Sequence, residues 1–165
     1  MGTDIGQVYS LDAATGCVHW SFHAQSAVRN APVLGPGGNG PVVYFGDLKA
    51  NVYALDARSG ALLWTTRVET HLTDRVTAAP AIYNGRLYVP ISSWEEYAAR
   101  SLDYGCCTSV GAVAALDAAS GRHLWKTYVI AGQPLQDHRG RDVPVRPLHL
   151  GAIVGDLLAV AADEE

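Results

Sequence analysis

The 165-residue chain is poor in charge, in cysteine and in long apolar runs. Charged residues make up 17%, below the ~25% of average globular chains, and the net charge of −4 gives no basic surface for nucleic acid. Three cysteines are too few for a disulfide scaffold. No run approaches the ~18 apolar residues of a membrane span, and the chain does not open on a basic, then apolar, export signal. We therefore expect no nucleic-acid partner and no membrane span.

Glycine is abundant, with 17 residues, and one short phrase occurs three times, at 10–20, 54–64 and 115–125. Such self-similarity is typical of repeat architectures. Each copy has Asp, then Thr or Ser, Gly and Trp at fixed positions. These docking-motif positions are Asp12, Gly16, Trp20, Asp56, Gly60, Trp64, Asp117, Gly121 and Trp125.

Each copy predicts a β-hairpin. Strand-forming residues precede the Asp, whose carboxylate can accept from backbone N–H groups just ahead and close an Asx turn. The Gly supplies a positive φ at the far end of the turn. The Trp four residues later is large enough to pack each unit onto its neighbour.

The second unit divides into four short strands, at 31–34, 42–45, 52–55 and 62–68. Four strands in about 40–45 residues are typical of a β-propeller blade. The third copy follows the second at a greater distance than the second follows the first, which predicts an insert at 92–111. Inserts of this kind go to loops on one face, often the binding face.

These patterns predict an all-β fold, a segment of a β-propeller with four-stranded antiparallel blades. We expect a partial blade at 1–25, whole blades at 26–75 and 76–129, and a loop followed by a partial blade at 130–165. Asn84-Gly85 predicts a hairpin in the third unit. Residues 152–160 match 81–89 and predict another hairpin; a short apolar helix or a decayed repeat is the alternative.

Two whole blades flanked by partial ones do not close a ring, since propellers need roughly 4–8 blades. We expect either a longer native protein or open sheet edges that favour self-association.

The insert contains an adjacent pair, Cys106 and Cys107, followed by Thr108. Neighbouring Cα atoms lie about 3.8 Å apart, below the usual 4.4–6.8 Å of a disulfide. A bond between them would form a small rigid ring able to lie against a planar cofactor. Two independent thiols are the plainer alternative. Cys17, at a turn, is expected to be a free thiol.

The repeated phrase resembles the tryptophan-docking motif of quinoprotein β-propellers, which use pyrroloquinoline quinone (PQQ). The third copy, preceded by Trp94, Glu95, Glu96 and the Cys pair, is similar to polyvinyl-alcohol dehydrogenase-type members. The resemblance covers about residues 5–129.

The resemblance implies an eight-bladed, periplasmic propeller that oxidises a small or polymeric alcohol by hydride transfer to PQQ. A calcium ion would polarise the quinone, and electrons would pass to a cytochrome c or an attached haem domain. Cys106 and Cys107 match the family's vicinal disulfide platform for the quinone. Its calcium ligands, catalytic base and stacking Trp belong to later blades, so catalytic and metal residues are unknown here, and an isolated fragment is expected to be inactive.

One position departs from the family, because Val110 stands where an Arg usually meets a cofactor carboxylate. Losing that charge-assisted contact, about 1.5–3 kcal/mol, weakens binding of an anionic cofactor. The same docking motif also builds non-enzymatic propellers that bind proteins or peptides. Val110 favours this alternative, whereas the Cys pair favours the enzymes.

Other insert residues are weaker candidates for a site loop. Glu95 and Glu96 could touch a cation or substrate, but adjacent carboxylates on an exposed loop are expected to be solvated, and on a strand they would point to opposite faces. Trp94 could line the mouth of a site or simply anchor the loop. His19 and His23 lie in a strand context that does not favour a metal site.

Overall fold

The computed structural model describes residues 1–37, 39–101, 104 and 107–130, and the backbone of 135–136 and 142–143. The first sheet has two antiparallel strands, β1 (Gln7–Leu11) and β2 (Val18–His23). Met1 and Gly2 run along the free edge of β1, where the backbone groups of Met1 and Tyr9 exchange two hydrogen bonds of 2.8 and 2.9 Å.

The second sheet is the four-stranded blade that the sequence predicts. Its strands follow in chain order, β3 (Val33–Gly37), β4 (Gly40–Gly46), β5 (Asn51–Asp56) and β6 (Leu62–Arg67), each antiparallel to the next. Gly35, Pro36, Gly37 and Gly40 also belong to the β3–β4 ladder, so both strands extend beyond the predicted 31–34 and 42–45. Pro36 and Pro41 face each other at the end of that ladder, where the missing proline N–H groups cost little.

The third sheet is built around the longest strand. Its elements are β7 (Asp74–Arg75), β8 (Ala81–Tyr83), β9 (Arg86–Ser93), the one-turn helix α1 (Glu95–Ala98), β10 (Ala112–Asp117) and β11 (His123–Tyr128). β10 lies between β9 and β11, while β8 and β7 pair with different parts of β9. Asn84 and Gly85 have φ of 48° and 74°, which confirms the predicted hairpin.

A short hairpin of β12 (Leu135–Gln136) and β13 (Asp142–Val143) lies in the stretch that the sequence predicts as loop. The hairpin predicted at 152–160 lies outside the described residues, and the predicted blade boundaries remain predictions.

Both faces of the second sheet are buried. Val43 and Phe45 of β4 pack towards the first sheet, whereas Val42 and Tyr44 pack towards the third. This follows from the strand period of two, which sends alternate side chains to opposite faces. The blade is therefore stacked between its neighbours, as in a propeller.

The Asx turn predicted for each repeat is confirmed. In the second copy, Oδ1 of Asp56 accepts from the N–H of Arg58 (3.1 Å) and Ser59 (2.8 Å) and from the Ser59 hydroxyl (2.7 Å). Asp12 and Asp117 accept from the N–H and hydroxyl of Thr15 and Ser120 in the same way. We call residues 12–16, 56–60 and 117–121 the docking turns. All three lie beside the same β-bulge, one residue before the Asp.

The repeated Trp joins one blade to the next. The indole N–H of Trp20 donates to the carbonyl of Ala57 at 3.0 Å, and that of Trp64 donates to Ala118 at 3.1 Å. A Cβ on Gly60 would lie 2.6 Å from the Trp20 ring, so the ring packs directly against the backbone of the next docking turn.

The docking turns lie at the C-terminal ends of β5 and β10, so the loops before these strands lie at the opposite end of the sheets. In the second blade that loop is the tight turn 47–50, and in the third it is the insert, here 94–111. No helix in the described part of the chain is long and apolar enough to cross a membrane.

Candidate functional site

The candidate site lies where the insert meets the connection between the second and third blades. The connection, residues 68–77, brings β7 alongside the end of β9, because Asp74 pairs with Ser93. The insert leaves β9 at the same point and returns into β10 at Ala112. Polar side chains of both segments are thereby brought together beside Cys107.

The carboxylate of Glu95 is the centre of the cluster. Its Oε1 accepts from the N–H of Thr108 at 2.7 Å, and its Oε2 accepts from the N–H of Ser109 at 2.7 Å. The hydroxyls of Tyr104 and Thr108 also donate to Oε1, at 2.8 and 3.1 Å. Burial raises the pKa of Glu95, but these hydrogen bonds outweigh burial and hold the pKa below its ordinary value.

The expectation that Glu95 and Glu96 are solvated loop carboxylates is wrong for Glu95. The Glu95 side chain is buried, at 2% exposure, while Glu96 is exposed. Both residues lie in α1 rather than on a strand or an irregular loop. The helix turns Glu95 inward because four donors are available there to replace water.

A second buried carboxylate, Asp74, lies on the other side of the same segment. It is 2% exposed, and its Oδ1 accepts a hydrogen bond from the Ser109 hydroxyl. Burial raises the pKa of Asp74 to about 6; the Ser109 hydrogen bond lowers it, and the nearby charge of Glu69 raises it.

The side chain of Thr108 is held between the two segments. Its Oγ1 lies 2.9 Å from Nε2 of His71, while Nδ1 of His71 lies 2.9 Å from Oγ1 of Thr73. Cys107, just before Thr108, is exposed and disulfide-bonded. Cys106 lies outside the described residues, and Cys17 is a free, exposed thiol, as predicted.

Glu69 joins the connection to the last strand of the third blade. Nζ of Lys126 lies 2.7 Å from Oε2 of Glu69, and the Tyr128 hydroxyl donates to the same oxygen at 3.3 Å. Burial raises the pKa of Glu69, but the Lys126 hydrogen bond and charge outweigh burial and hold the pKa below its ordinary value. This ion pair fixes the segment that carries His71 and Asp74.

Trp94 immediately precedes α1 and is partly buried. Its ring lies 6.2 Å from that of Tyr97, and the Arg75 guanidinium lies 5.7 Å from its centroid. These contacts tie the start of the insert to β7, which is the geometry of a loop anchor.

Val110 belongs to the apolar core. It is 7% exposed and packs in the cluster that contains Ile91 and Ala112. The position that holds an Arg in the resembling family is thus apolar and inward-facing here.

The cluster is not arranged as a metal site. Both oxygens of Glu95 are occupied by protein donors, and no group of three or more potential metal-ligating side chains occurs in the described ranges. The donor set therefore does not fit a calcium ion. The arrangement can hold the segment after Cys107 in one conformation, with the exposed, disulfide-bonded Cys107 beside it.

Sequence reasoning missed Glu69, His71, Asp74 and Ser109. One signal could have found the first three: the stretch from Trp64 to Pro80, which contains them, is longer than the equivalent stretch from Trp20 to Pro32. Ser109 could not be found in this way, because no feature of the repeated sequence indicates that its hydroxyl contacts Asp74.

The stacked four-stranded blades and the Trp contacts between them define a segment of a β-propeller. A family model described as "Outer membrane protein assembly factor BamB" matches residues 1–164. The chain belongs to this PQQ_2 family.

A polyvinylalcohol dehydrogenase of Sphingopyxis sp. (strain 113P3) is 39% identical over 133 residues, which cover 78% of this chain and 20% of that protein. A solved quinohemoprotein alcohol dehydrogenase, ADHIIG of Pseudomonas putida HK5, superposes with a TM-score of 0.62 at 26% identity, covering 79% of this chain and 19% of the other. BamB of Moraxella catarrhalis shares the fold, with a TM-score of 0.51 at 21% identity over 80% of this chain and 33% of BamB. The chain spans about a fifth of the length of the curated relatives it matches.

Proposed function

We propose that this chain supplies part of the cofactor face of a PQQ-dependent alcohol dehydrogenase. The observation that carries the proposal is the disulfide-bonded, exposed Cys107 at the end of a buried hydrogen-bond cluster. The relatives named as alcohol dehydrogenases support the same conclusion. The whole protein would be an eight-bladed propeller, with its catalytic groups in blades beyond this chain.

In this proposal Cys106 and Cys107 form a vicinal disulfide that lies against the quinone. Cys107 is bonded, Cys17 is free and the sequence has three cysteines, which supports the pairing. A disulfide also favours an oxidising compartment, so we place the protein in the periplasm. Thr108, Glu95 and Trp94 hold the platform, while Glu96 is exposed to solvent.

The chemistry that PQQ would supply when bound is that of a hydride acceptor. The alcohol carbon would lose a hydride and its hydroxyl a proton, taken by a base in blades beyond this chain, which leaves an aldehyde or ketone. The two electrons would then pass to a cytochrome c. Calcium would be held elsewhere in the propeller, because the described cluster does not fit it. This chain's part is to present a rigid, apolar disulfide surface and to exclude water from one side of the ring.

A titration of the full 165-residue chain with PQQ, with and without calcium, tests the proposal. We expect saturable binding by calorimetry that is abolished in Cys106→Ala/Cys107→Ala and preserved in the matched control Cys17→Ala. Equal binding by all three proteins, or none by the oxidised wild type, would contradict it.

A second candidate is a non-enzymatic propeller that binds proteins or peptides. Val110 favours it, because a buried valine supplies no charge for a cofactor carboxylate. The PQQ titration of the oxidised wild type distinguishes the two functions. A cofactor surface gives saturable PQQ binding that depends on the Cys pair, whereas a scaffold gives none.

A further inference from the structure

The two residues after Cys107 are held by one carboxylate through their backbones. The N–H groups of Thr108 and Ser109 donate to different oxygens of Glu95, both at 2.7 Å. An ionised carboxylate offers two acceptor oxygens, one for each N–H, whereas the amide of a glutamine offers only one. Glu95 therefore fixes the backbone direction as the chain leaves the Cys pair.

Glu95 is itself fixed to the sheet. It lies two residues beyond the end of β9, its N–H donates to the Ser93 hydroxyl at 3.3 Å, and its carbonyl accepts from Ala99 at 2.7 Å. Its side chain is buried. The carboxylate is thus a short, rigid link between the strand and the segment after Cys107.

The same two residues are held a second time through their side chains. The Ser109 hydroxyl donates to Asp74, and the Thr108 hydroxyl lies against His71. Asp74 and His71 belong to the connection between blades, whereas Glu95 belongs to the insert. Both the insert and the connection therefore hold the segment 108–109, while Cys107 beside it is exposed.

We propose that Glu95 is a positioning residue for the disulfide-bonded Cys107. It sets the orientation and the accessibility of the disulfide without touching cofactor or substrate. The inference rests on the proposed function, in which that disulfide is the quinone platform. Removing one oxygen of the Glu95 carboxylate should therefore loosen the segment 107–109 while the blades stay intact.

The experiment compares Glu95→Gln with Glu96→Gln in the full chain. The two changes are chemically identical and adjacent, but Glu96 is exposed. The first readout is amide hydrogen exchange of Thr108 and Ser109; the second is the rate at which a small thiol reduces the disulfide of Cys107. Exchange of the Val52 and Ala54 amides in β5 reports whether the blades remain folded.

We expect Glu95→Gln to accelerate both exchange and reduction by about tenfold or more, since a charge-assisted bond to a backbone N–H is lost. We expect Glu96→Gln to stay within about twofold of wild type. Equal rates for the two variants would overturn the inference. Should Glu95→Gln lose β5 protection, Glu95→Asp, which keeps both oxygens on a shorter chain, is expected to give intermediate rates; wild-type rates would again overturn it.

Failure of the proposed function would look different. If wild type does not bind PQQ, the quinone platform is wrong, yet the exchange difference between Glu95→Gln and Glu96→Gln still tests the positioning role. If wild type binds PQQ, we expect Glu95→Gln to weaken that binding and Glu96→Gln to leave it unchanged.

Discussion

The docking turns and the Glu95 cluster use the same chemical device at opposite ends of the sheets. In each docking turn one Asp oxygen accepts from backbone N–H groups two and three residues ahead, as Asp56 does from Arg58 and Ser59. Glu95 instead accepts from residues thirteen and fourteen ahead. The docking-turn donors are exposed, whereas Glu95 and Ser109 are buried.

The difference determines what each carboxylate stabilises. Water can replace the Asp in an exposed turn, so the turn has a local and modest energetic role. Glu95 is itself buried, and the N–H of Ser109 that it accepts from is buried with it, so this donor would be left unpaired without the carboxylate. The docking turns therefore stabilise the same hairpin in every repeat, while the Glu95 cluster holds one particular loop in place.

The largest expected effect comes from removing the buried carboxylate altogether. Glu95→Ala leaves the buried N–H of Ser109 and the partly buried N–H of Thr108 without their acceptor, so we expect about 2–3 kcal/mol of destabilisation. Urea unfolding measures it, with Glu96→Ala as the matched control, expected within about 0.5 kcal/mol of wild type. Similar losses for both variants would remove the distinction between buried and exposed carboxylates.

The next prediction concerns pH and Asp74, which faces Ser109, Glu69, His71 and Glu95. Its pKa of about 6 is raised above the ordinary 3.8, so the folded state holds this proton more tightly than the unfolded state. The resulting stability is fully present below pH 3.8 and is lost as pH rises through about 6. Relative to Asp74→Asn, the wild type should lose about 2 kcal/mol between pH 4 and about 7. Urea unfolding across that range measures the difference, and a pH-independent difference would contradict it.

The third prediction concerns whether a docking turn stabilises only its own hairpin or also the contact with the neighbouring blade. Gly60 and Gly16 both have φ of 73°, but a Cβ on Gly60 would lie 2.6 Å from the Trp20 ring, and one on Gly16 would meet nothing within 4 Å. Gly60→Ala should therefore be about 2 kcal/mol more destabilising than Gly16→Ala, because only Gly60→Ala also overpacks the blade contact. Thermal unfolding compares the two, and equal losses would show that the Trp packing is dispensable.

The smallest effect is expected from Asp56→Asn. Hydrogen bonds from the hydroxyl and N–H of Ser59 lower the pKa of Asp56, so its contribution is present above the ordinary pKa and is lost as pH falls below it. The sign is opposite to that of Asp74. Wild type should exceed the variant slightly at pH 7, and the difference should vanish in acid; a difference that grows in acid would contradict this assignment.

The architecture could be predicted from the sequence because the residues that determine it lie close together in the chain. Asp56, Ser59 and Gly60 lie within one turn, and three copies repeat the same solution, so strands, hairpins and blade contacts could be predicted. The Glu95 cluster could not be predicted in the same way. Its partners come from residues 69–77 and 104–109, and nothing in the adjacent pair Glu95-Glu96 indicates which carboxylate turns inward.

The expectation that Glu95 is solvated was wrong for a physical reason. An unpaired carboxylate favours water, so solvation is the sound expectation for both glutamates. The fold reverses it at Glu95 because α1 directs that side chain at four donors. Val110 is the opposite case. The similar family usually has a charged Arg at this position, whereas here the residue is apolar and lies in the core.

Peptide mapping of the segment 105–111, under non-reducing conditions on protein made in an oxidising compartment, tests the central claim most directly. We expect one peptide that contains Cys106 and Cys107, lighter by two hydrogen atoms than its reduced form and resistant to alkylation until reduced. Two free thiols in folded protein would contradict the quinone platform and favour the binding propeller.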